Sequence, residues 1–190
     1  MQDERTIFSV GHSNISLELF IALLKGASIE SIADVRRFPG SKRYPYFEKN
    51  QLKVELERVG IGYDHLPELG GRRKPFPNSL NDRWRSTQFR GYADHMGSDE
   101  FKTAFLQLKK LASNLRVACM CAEGLWWQCH RSLISDLLKC EGWKVLHILP
   151  GGKLQEHPYT SAAVITEGGL SYSSKSLPES TRGPTQGALL

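Results

Sequence analysis

Residues 116–149 read RVACMCAEGLWWQCHRSLISDLLKCEGWKVLHIL, and their pattern decides the fold class. The apolar run Arg116–Cys121 predicts a buried strand, the spacing in Ser132–Cys140 predicts a helix, and Lys144–Leu149 predicts a further strand. Two strands joined by a helix are typical of a parallel β-α-β unit. This stretch therefore predicts an α/β protein with a parallel sheet.

The preceding part of the chain repeats this alternation. Further strands are predicted at Thr6–Val10, Ile29–Val35 and Ile61–Leu66. Further helices are predicted at Leu17–Lys25, Phe47–Val59 and Glu100–Ser113. The polar residues 72–98 predict a long loop with a short helix near Tyr92–Met96. The whole pattern predicts a Rossmann-like three-layer α/β sandwich with a mostly parallel sheet of about five strands.

The composition is that of one domain followed by a C-terminal segment. The chain has 190 residues, of which 40% are hydrophobic, and this is enough to form a core without disulfides or a metal. Residues 1–155 carry the alternating pattern and are predicted to form the α/β domain. Gly, Ser, Thr and Pro dominate afterwards, so residues 156–190 are predicted to be a largely disordered extension.

The cysteine distribution bears on the compartment. Cys119, Cys121 and Cys129 are three of the four cysteines, and they crowd into one short segment rather than forming the spaced pairs of a disulfide scaffold. The sequence has no apolar run long enough to span a membrane, and its acidic N-terminus lacks the pattern of a signal peptide. We therefore expect a reduced, cytoplasmic protein that does not bind membranes. The composition does not determine its oligomeric state.

The positive charge is concentrated in two segments. The chain has a net charge of +5, yet residues 34–43 and 72–90 together hold ten basic and two acidic residues, a balance of +8 that leaves −3 for the rest. Eight of those ten basic residues are arginines, which can bind phosphate or carboxylate groups in bidentate geometry. A solvated loop surface is one interpretation, and a surface for an anion or nucleic acid is the other.

Reactive side chains follow several predicted strands at the point where each strand ends. In open parallel sheets, ligands bind at the carboxyl ends of the strands. The residues at these ends are His12, Ser13, Asp34, Arg36, His65, Glu68, Cys121 and Glu123. The order of strands and helices therefore predicts that these groups converge on one crevice.

The segment between the last two predicted strands supplies most of the predicted catalytic groups. Cys129 lies next to Arg131 at the start of a helix, and the helix dipole together with this cation favours a thiolate. Glu123 or Asp34 is predicted to be a general acid or base, and Cys121 or Cys129 a nucleophile or its support. The predicted catalytic residues are Asp34, Cys121, Glu123, Cys129 and His130.

The same segment holds donor atoms for a metal ion, but its spacing is not that of a standard zinc motif. Cys119 and Cys121 are separated from the pair Cys129-His130 by seven residues. Cys119 lies in the middle of a strand and is predicted to be a small core residue. We therefore predict no metal and no cofactor. For Cys121 and Cys129, a purely structural role as buried residues is an alternative that stays open.

The predicted substrate-binding residues combine cations, small polar groups and aromatic rings. They are His12, Ser13, Arg36, Arg37, Glu68, Arg72, Arg73, Arg90, Tyr92, Trp126, Trp127 and Arg131. The arginines would hold phosphates, and Trp126 or Trp127 would stack on a base or a sugar. A structural hydrogen-bonding role for His12 and an ion pair between Arg36 and Asp34 are alternatives that stay open.

Seven ordered motifs resemble a known family. They are Thr6–Asn14 (TIFSVGHSN), Asp34–Arg36 (DVR), Pro39–Ser41 (PGS), His65–Gly71 (HLPELGG), Phe89–Asp94 (FRGYAD), Met120–Glu123 (MCAE) and Cys129–Ser132 (CHRS). In this order they resemble the domain of unknown function 488 family, over roughly residues 5–150. The resemblance implies one compact α/β domain and brings no established reaction. It also implies a single site formed by the motif residues His12, Asp34, Arg36, Glu68, Arg72, Cys121, Glu123, Cys129, His130 and Arg131.

The residue types together predict an enzyme that acts on a nucleotide or nucleic acid. The expected chemistry is hydrolysis or transfer at a base or an N-glycosidic bond, as in DNA repair or base processing. A non-catalytic nucleic-acid-binding module and a thiol- or metal-dependent redox protein are the alternatives. The sequence does not distinguish DNA, RNA and free nucleotides.

Overall fold

The computed structural model describes residues 5–40 and 44–176. The α-helices in these ranges are α1 (Leu17–Gly26), α2 (Lys49–Arg58), α3 (Thr87–His95), α4 (Asp99–Ala112) and α5 (Arg131–Cys140). The strands are β1 (Thr6–Gly11), β2 (Ser31–Asp34), β3 (Gly62–His65), β4 (Val117–Cys121), β5 (Lys144–Ile148), β6 (Leu154–Glu156), β7 (Val164–Thr166) and β8 (Gly169–Ser171). No helix within those two ranges combines the length and the apolar character needed to cross a membrane.

Six of the strands form one sheet in the order β3-β2-β4-β1-β5-β6. The first five are parallel to their neighbours, and β6 is antiparallel to β5. The central strand β4 lies between β1 and β2, so the ends of β2, β4 and β1 are adjacent at one edge of the sheet. The predicted α/β class with a mostly parallel sheet is confirmed.

The two faces of the sheet are covered by different helices because side chains alternate along each strand. In β4, Cys119 and Cys121 face α3, α4 and α5, whereas Met120 faces α1 and α2. Phe20 of α1 and Leu52 of α2 are fully buried against the second face. Each such side chain contributes about 1.5–3 kcal/mol through removal of apolar surface from water. The result is the predicted three-layer sandwich.

Helix α3 is longer than the short helix predicted near Tyr92–Met96. It begins after Ser86, whose hydroxyl accepts a hydrogen bond from the backbone N–H of Phe89. Its first turn has only one apolar residue, Phe89, and therefore no apolar periodicity, so only the capping serine marks its start. Helices α1 and α4 begin in the same way, at Ser16 and Ser98. The long predicted loop is therefore partly helical.

The predicted C-terminal extension is part of the folded domain as far as residue 176. The expected boundary at residues 155 and 156 falls inside β6, and β7 and β8 form a hairpin beyond it. His157 and Tyr172 are buried against α5, where both side chains hydrogen-bond to the fully buried carboxylate of Asp136. A buried carboxylate requires such donors, and composition alone does not register this need. Residues 177–190 lie outside the described residues.

Candidate functional site

The segments that follow β2, β3 and β4 meet around one cavity of about 330 Å³. Its lining residues are Arg36, Arg37, Phe38, Gly71, Arg72, Gln88, Phe89, Tyr92, Cys121, Ala122, Glu123, Gln128, Cys129 and His130. The cavity lies at the carboxyl ends of parallel strands, where the topology predicts a ligand site. Eight of the residues predicted for the site line it, namely Arg36, Arg37, Arg72, Tyr92, Cys121, Glu123, Cys129 and His130.

Arg131 is buried next to the cavity floor, by which we mean the part of the lining formed by Cys121, Cys129 and His130. Its side chain is 1% exposed. It donates hydrogen bonds to the sulfur of Cys129 (3.4 Å), the hydroxyl of Ser9 (2.8 Å) and the backbone carbonyl of Glu123. Within the described residues Arg131 makes no salt bridge to a carboxylate. A buried guanidinium needs a compensating charge, and the sulfur of Cys129 is the group in position to supply it.

The two cysteines at the cavity have opposite ionisation preferences. Burial is the largest influence on Cys129 and opposes ionisation, but the hydrogen bond from Cys121, the adjacent imidazole of His130 and the charge of Arg131 outweigh it and hold the pKa of Cys129 well below the usual thiol value. The pKa of Cys121 is raised by its hydrogen bond to Cys129 and by burial. Cys121 therefore keeps its proton and donates it towards the sulfur of Cys129.

His130 is held in one orientation beside Cys129. Its Nε2–H donates to the carbonyl of Val35 (3.2 Å), which leaves Nδ1 at 3.6 Å from the sulfur of Cys129. The ring of Tyr92 packs at 4.9 Å from the imidazole, and the hydroxyl of Tyr92 donates to the carbonyl of Leu69. This arrangement fixes which imidazole nitrogen faces the sulfur.

The glycines after β3 allow two other segments to approach. A Cβ at Gly70 would lie 2.6 Å from the backbone N of Arg37, and a Cβ at Gly71 would lie 2.8 Å from Nδ1 of His130. Gly11, at the end of β1, has no room for a Cβ against the carbonyl of Glu123. These glycines thus allow the segments that carry the site residues to come together.

Asp34 does not line the cavity, because it is fully buried in an ion pair behind the cavity wall. Its carboxylate accepts three side-chain hydrogen bonds from Arg36 at 2.6–3.1 Å and one from the hydroxyl of Tyr63. Burial and the neighbouring carboxylate raise the pKa of Tyr63, so this hydroxyl stays protonated and donates. The structural ion pair that the sequence left open accounts for Asp34.

His12 supports the same ion pair from the other side. Burial lowers the pKa of His12 to about 4, with the charge of Arg36 acting in the same direction. The neutral ring accepts a hydrogen bond from Nη1 of Arg36 (3.2 Å), donates through Nδ1 to the carbonyl of Ser13, and stacks on Phe47 at 3.9 Å. The structure thus gives His12 a positioning role, and Ser13 is exposed with a φ of 47°.

Several predicted substrate-binding residues lie away from the cavity lining. Trp126 is buried and stacks on His147 at 4.4 Å, and the half-exposed Trp127 packs edge-on against Trp126. Arg73 donates to the carbonyl of Gly70, and its guanidinium lies 3.9 Å from the carboxylate of Glu68. Arg90 donates to the carbonyl of Trp84. Much of the Arg-rich segment therefore binds the protein's own backbone.

Besides Ala122, the cavity is lined by four larger side chains that were not predicted for the site: Phe38, Gln88, Phe89 and Gln128. Phe38 is 63% exposed and directly follows the two arginines after β2. A large exposed aromatic ring beside arginines is a recognisable signal for ligand contact. Phe89 belongs to the part of α3 that the sequence predicted to be a loop.

Three donor atoms of the cavity floor form a cluster that could hold a metal ion. The sulfurs of Cys121 and Cys129 and a ring nitrogen of His130 all lie within 4.8 Å of one another. Cys119 does not belong to this cluster. It is buried in the core and its pKa is raised to about 12 by burial, as expected for a packed, protonated thiol.

The comparisons with known proteins give a family and no activity. A family model described as a domain of unknown function, DUF488, matches residues 16–138. This span contains every residue that lines the cavity. No curated protein and no solved structure matches the chain.

Proposed function

Because the chain belongs to the DUF488 family, whose description names no reaction, we propose its function from the chemistry of the cavity. The protein is an enzyme that acts on a nucleotide or nucleic acid, by hydrolysis or group transfer at a base or an N-glycosidic bond. The observation that carries this proposal is the composition of one cavity. It combines a carboxylate, a sulfur–imidazole cluster, guanidinium groups and aromatic rings.

The cations of the cavity support an anionic substrate. Arg37 and Arg72 are exposed at its rim, and Nη1 of Arg37 donates to the carbonyl of Arg72, which ties the two segments together. Arg72 has a φ of 60°, a left-handed conformation that is uncommon outside glycine and concentrated at functional sites. These two side chains are placed to bind a phosphate. Lys42 and Arg43, which belong to the first of the two basic sequence segments, lie outside the described residues.

The aromatic lining and the size of the cavity support a base as the second recognised group. Phe38 and Phe89 both line the cavity, and aromatic rings stack on any base at about 1–3 kcal/mol per base. A volume of about 330 Å³ lies at the lower end of the range for small-molecule sites. A single nucleotide fits such a space, so a base within a duplex would have to be extruded first.

Glu123 and the cluster of Cys121, Cys129 and His130 are the reactive groups of the proposed enzyme. The carboxylate of Glu123 is exposed within the cavity and can transfer a proton to or from a base or leaving group. Chemistry at an N-glycosidic bond would use this carboxylate to stabilise an oxocarbenium-like transition state. Chemistry at a ring carbon of the base would use the sulfur–imidazole cluster as well.

The test is a turnover assay on nucleotides and on single- and double-stranded oligonucleotides, with products identified by mass. We expect Glu123→Gln and Cys129→Ser to lower kcat at least about 100-fold, as is typical when a general acid–base group is removed. Arg72→Gln should mainly raise KM. Arg85→Gln is the matched control, because Arg85 is exposed in the same Arg-rich segment and does not line the cavity.

Two outcomes of this assay would overturn the proposal. Salt-dependent binding of nucleic acid without turnover would favour the non-catalytic binding module. Turnover that survives both Glu123→Gln and Cys129→Ser would show that the chemistry takes place elsewhere.

A further inference from the structure

We propose that Cys121, Cys129 and His130 form a binding site for one Zn²⁺ ion that opens into the cavity. Their donor atoms all lie within 4.8 Å of one another. Zn–S and Zn–N bonds of about 2.3 and 2.1 Å in tetrahedral geometry place a sulfur and a nitrogen ligand roughly 3.6 Å apart. The sulfur of Cys129 lies 3.6 Å from Nδ1 of His130.

The orientation of His130 is the one that a metal ligand requires. Nε2–H donates to the carbonyl of Val35, so Nδ1 carries no proton in the neutral ring and is the nitrogen next to the sulfur of Cys129. A ligating histidine commonly donates its other N–H to a carbonyl or carboxylate, which fixes the tautomer and the ring plane. Tyr92 packs on the ring and Gly71 leaves space for it, so both hold the nitrogen in place.

The sulfur ligands have the same kind of support. Arg131 donates Nε–H to the sulfur of Cys129 at 3.4 Å, a bond that a metal-bound thiolate readily accepts. Cys121 ends β4 and lies 7% exposed beside it. Two sulfurs and one imidazole favour Zn²⁺ over Mg²⁺ or Ca²⁺, which take oxygen ligands.

The number of ligands indicates a catalytic rather than a structural site. Within the described ranges the cluster has three protein donors, whereas structural zinc sites have four. All three ligand residues line the same cavity as Glu123 and Gln128, so a fourth coordination position would be open to it. This inference rests on the proposed function in that bound water would supply the nucleophile for hydrolysis there. The sequence predicted no metal because the spacing of these residues is not that of a standard zinc motif. In the structure the three donors come together through the connection between β4 and α5.

The binding test uses the purified full-length protein, stripped with a chelator and then loaded with Zn²⁺ or Co²⁺. We expect one Zn²⁺ per chain by elemental analysis, and thiolate-to-metal charge-transfer absorption with Co²⁺. Cys121→Ser and His130→Gln should each weaken Zn²⁺ binding at least about 100-fold, by the loss of a direct ligand. Cys119→Ser is the matched control. It should bind Zn²⁺ as the wild type does, because Cys119 is buried in the core and does not belong to the cluster.

The outcomes separate this site from the proposed function. Failure of the folded wild type to bind Zn²⁺ stoichiometrically, or unchanged binding in folded Cys121→Ser and His130→Gln proteins, overturns the site. Full turnover after zinc removal also overturns its proposed catalytic use and leaves the enzyme assignment intact. Zinc binding with the predicted ligand dependence but no turnover on any nucleotide supports the site and overturns the proposed function.

Discussion

The Nε–H of Arg131 points at the sulfur of Cys129 across 3.4 Å, and Arg131 is 1% exposed. The start of α5 thus places a buried cation next to the sulfur of Cys129 in the cavity floor. The other two bonds of this guanidinium go to Ser9 on β1 and to the carbonyl of Glu123. One side chain therefore connects the sheet, the loop after β4 and the start of α5.

Replacement of Arg131 by Met should destabilise the protein by about 3 kcal/mol or more, because three acceptors, two of them on buried residues, lose their donor. Urea denaturation measures this loss. Arg85→Met, at an exposed arginine, is the control and should change the free energy of unfolding by less than about 0.5 kcal/mol. If both variants had the same stability, Arg131 would not be the anchor of the site.

The variant Asp34→Asn should lose about 3 kcal/mol of unfolding free energy, because it leaves the guanidinium of Arg36 buried without its counter-charge. Tyr63→Phe removes one hydrogen bond to the same carboxylate and should cost about 1.5–3 kcal/mol. Thermal and urea unfolding of both variants check this order. A folded Asp34→Asn protein with wild-type stability and no activity would instead assign Asp34 a role in the chemistry.

The helices and strands that the sequence predicts correctly are those in which apolar residues recur with a clear helical or strand periodicity. In the predicted strand that became β4, the alternation of side chains places Cys119 and Met120 on opposite faces of the sheet, as the structure shows. The helical start at Cys129-His130 was also visible in the sequence. These local signals sufficed for the fold class and for much of the cavity floor.

The remainder depends on contacts between distant segments. An aspartate can act either as a catalytic base or as the partner in an ion pair, and the sequence is the same in both cases. For Asp34, only the positions of Arg36 and Tyr63 in the structure distinguish these two roles. Phe89 was not predicted to line the cavity, because the start of its helix after Ser86 lacks the apolar periodicity that would mark it in the sequence. In the C-terminal segment, His157 and Tyr172 donate hydrogen bonds to the buried carboxylate of Asp136. The polar composition of this segment does not reveal these contacts.

Buried His147 should make stability depend on pH. Burial, reinforced by the neighbouring His157 and Arg131, lowers the pKa of His147 to about 2, against an ordinary value of 6.5. Between these values the unfolded chain binds a proton that the folded protein does not, so stability falls as the pH drops below about 6.5. The slope contributed by this one group is at most about 1.4 kcal/mol per pH unit.

Urea denaturation at several pH values between 7.5 and 4.5 measures this dependence. The variant His147→Gln removes the titrating group and should show a shallower slope than the wild type, whatever its absolute stability. Equal slopes in the two proteins would contradict the assignment of acid sensitivity to His147.

The substitution Gly71→Ala should perturb the site without removing any reactive group. The new Cβ would lie 2.8 Å from Nδ1 of His130, so the imidazole must leave its present position 3.6 Å from the sulfur of Cys129. We expect a loss of about 1–3 kcal/mol in stability, as for other overpacked positions, and a loss of zinc affinity of roughly 10-fold or more. Gly26→Ala is the control: a Cβ there contacts nothing within 4 Å, and Ala at this helical position should leave stability unchanged or slightly raised. Titration with Zn²⁺ and urea denaturation of both variants are the measurements. Wild-type zinc affinity in Gly71→Ala would mean that the position of His130 does not matter for the metal, and the imidazole would then not be a ligand.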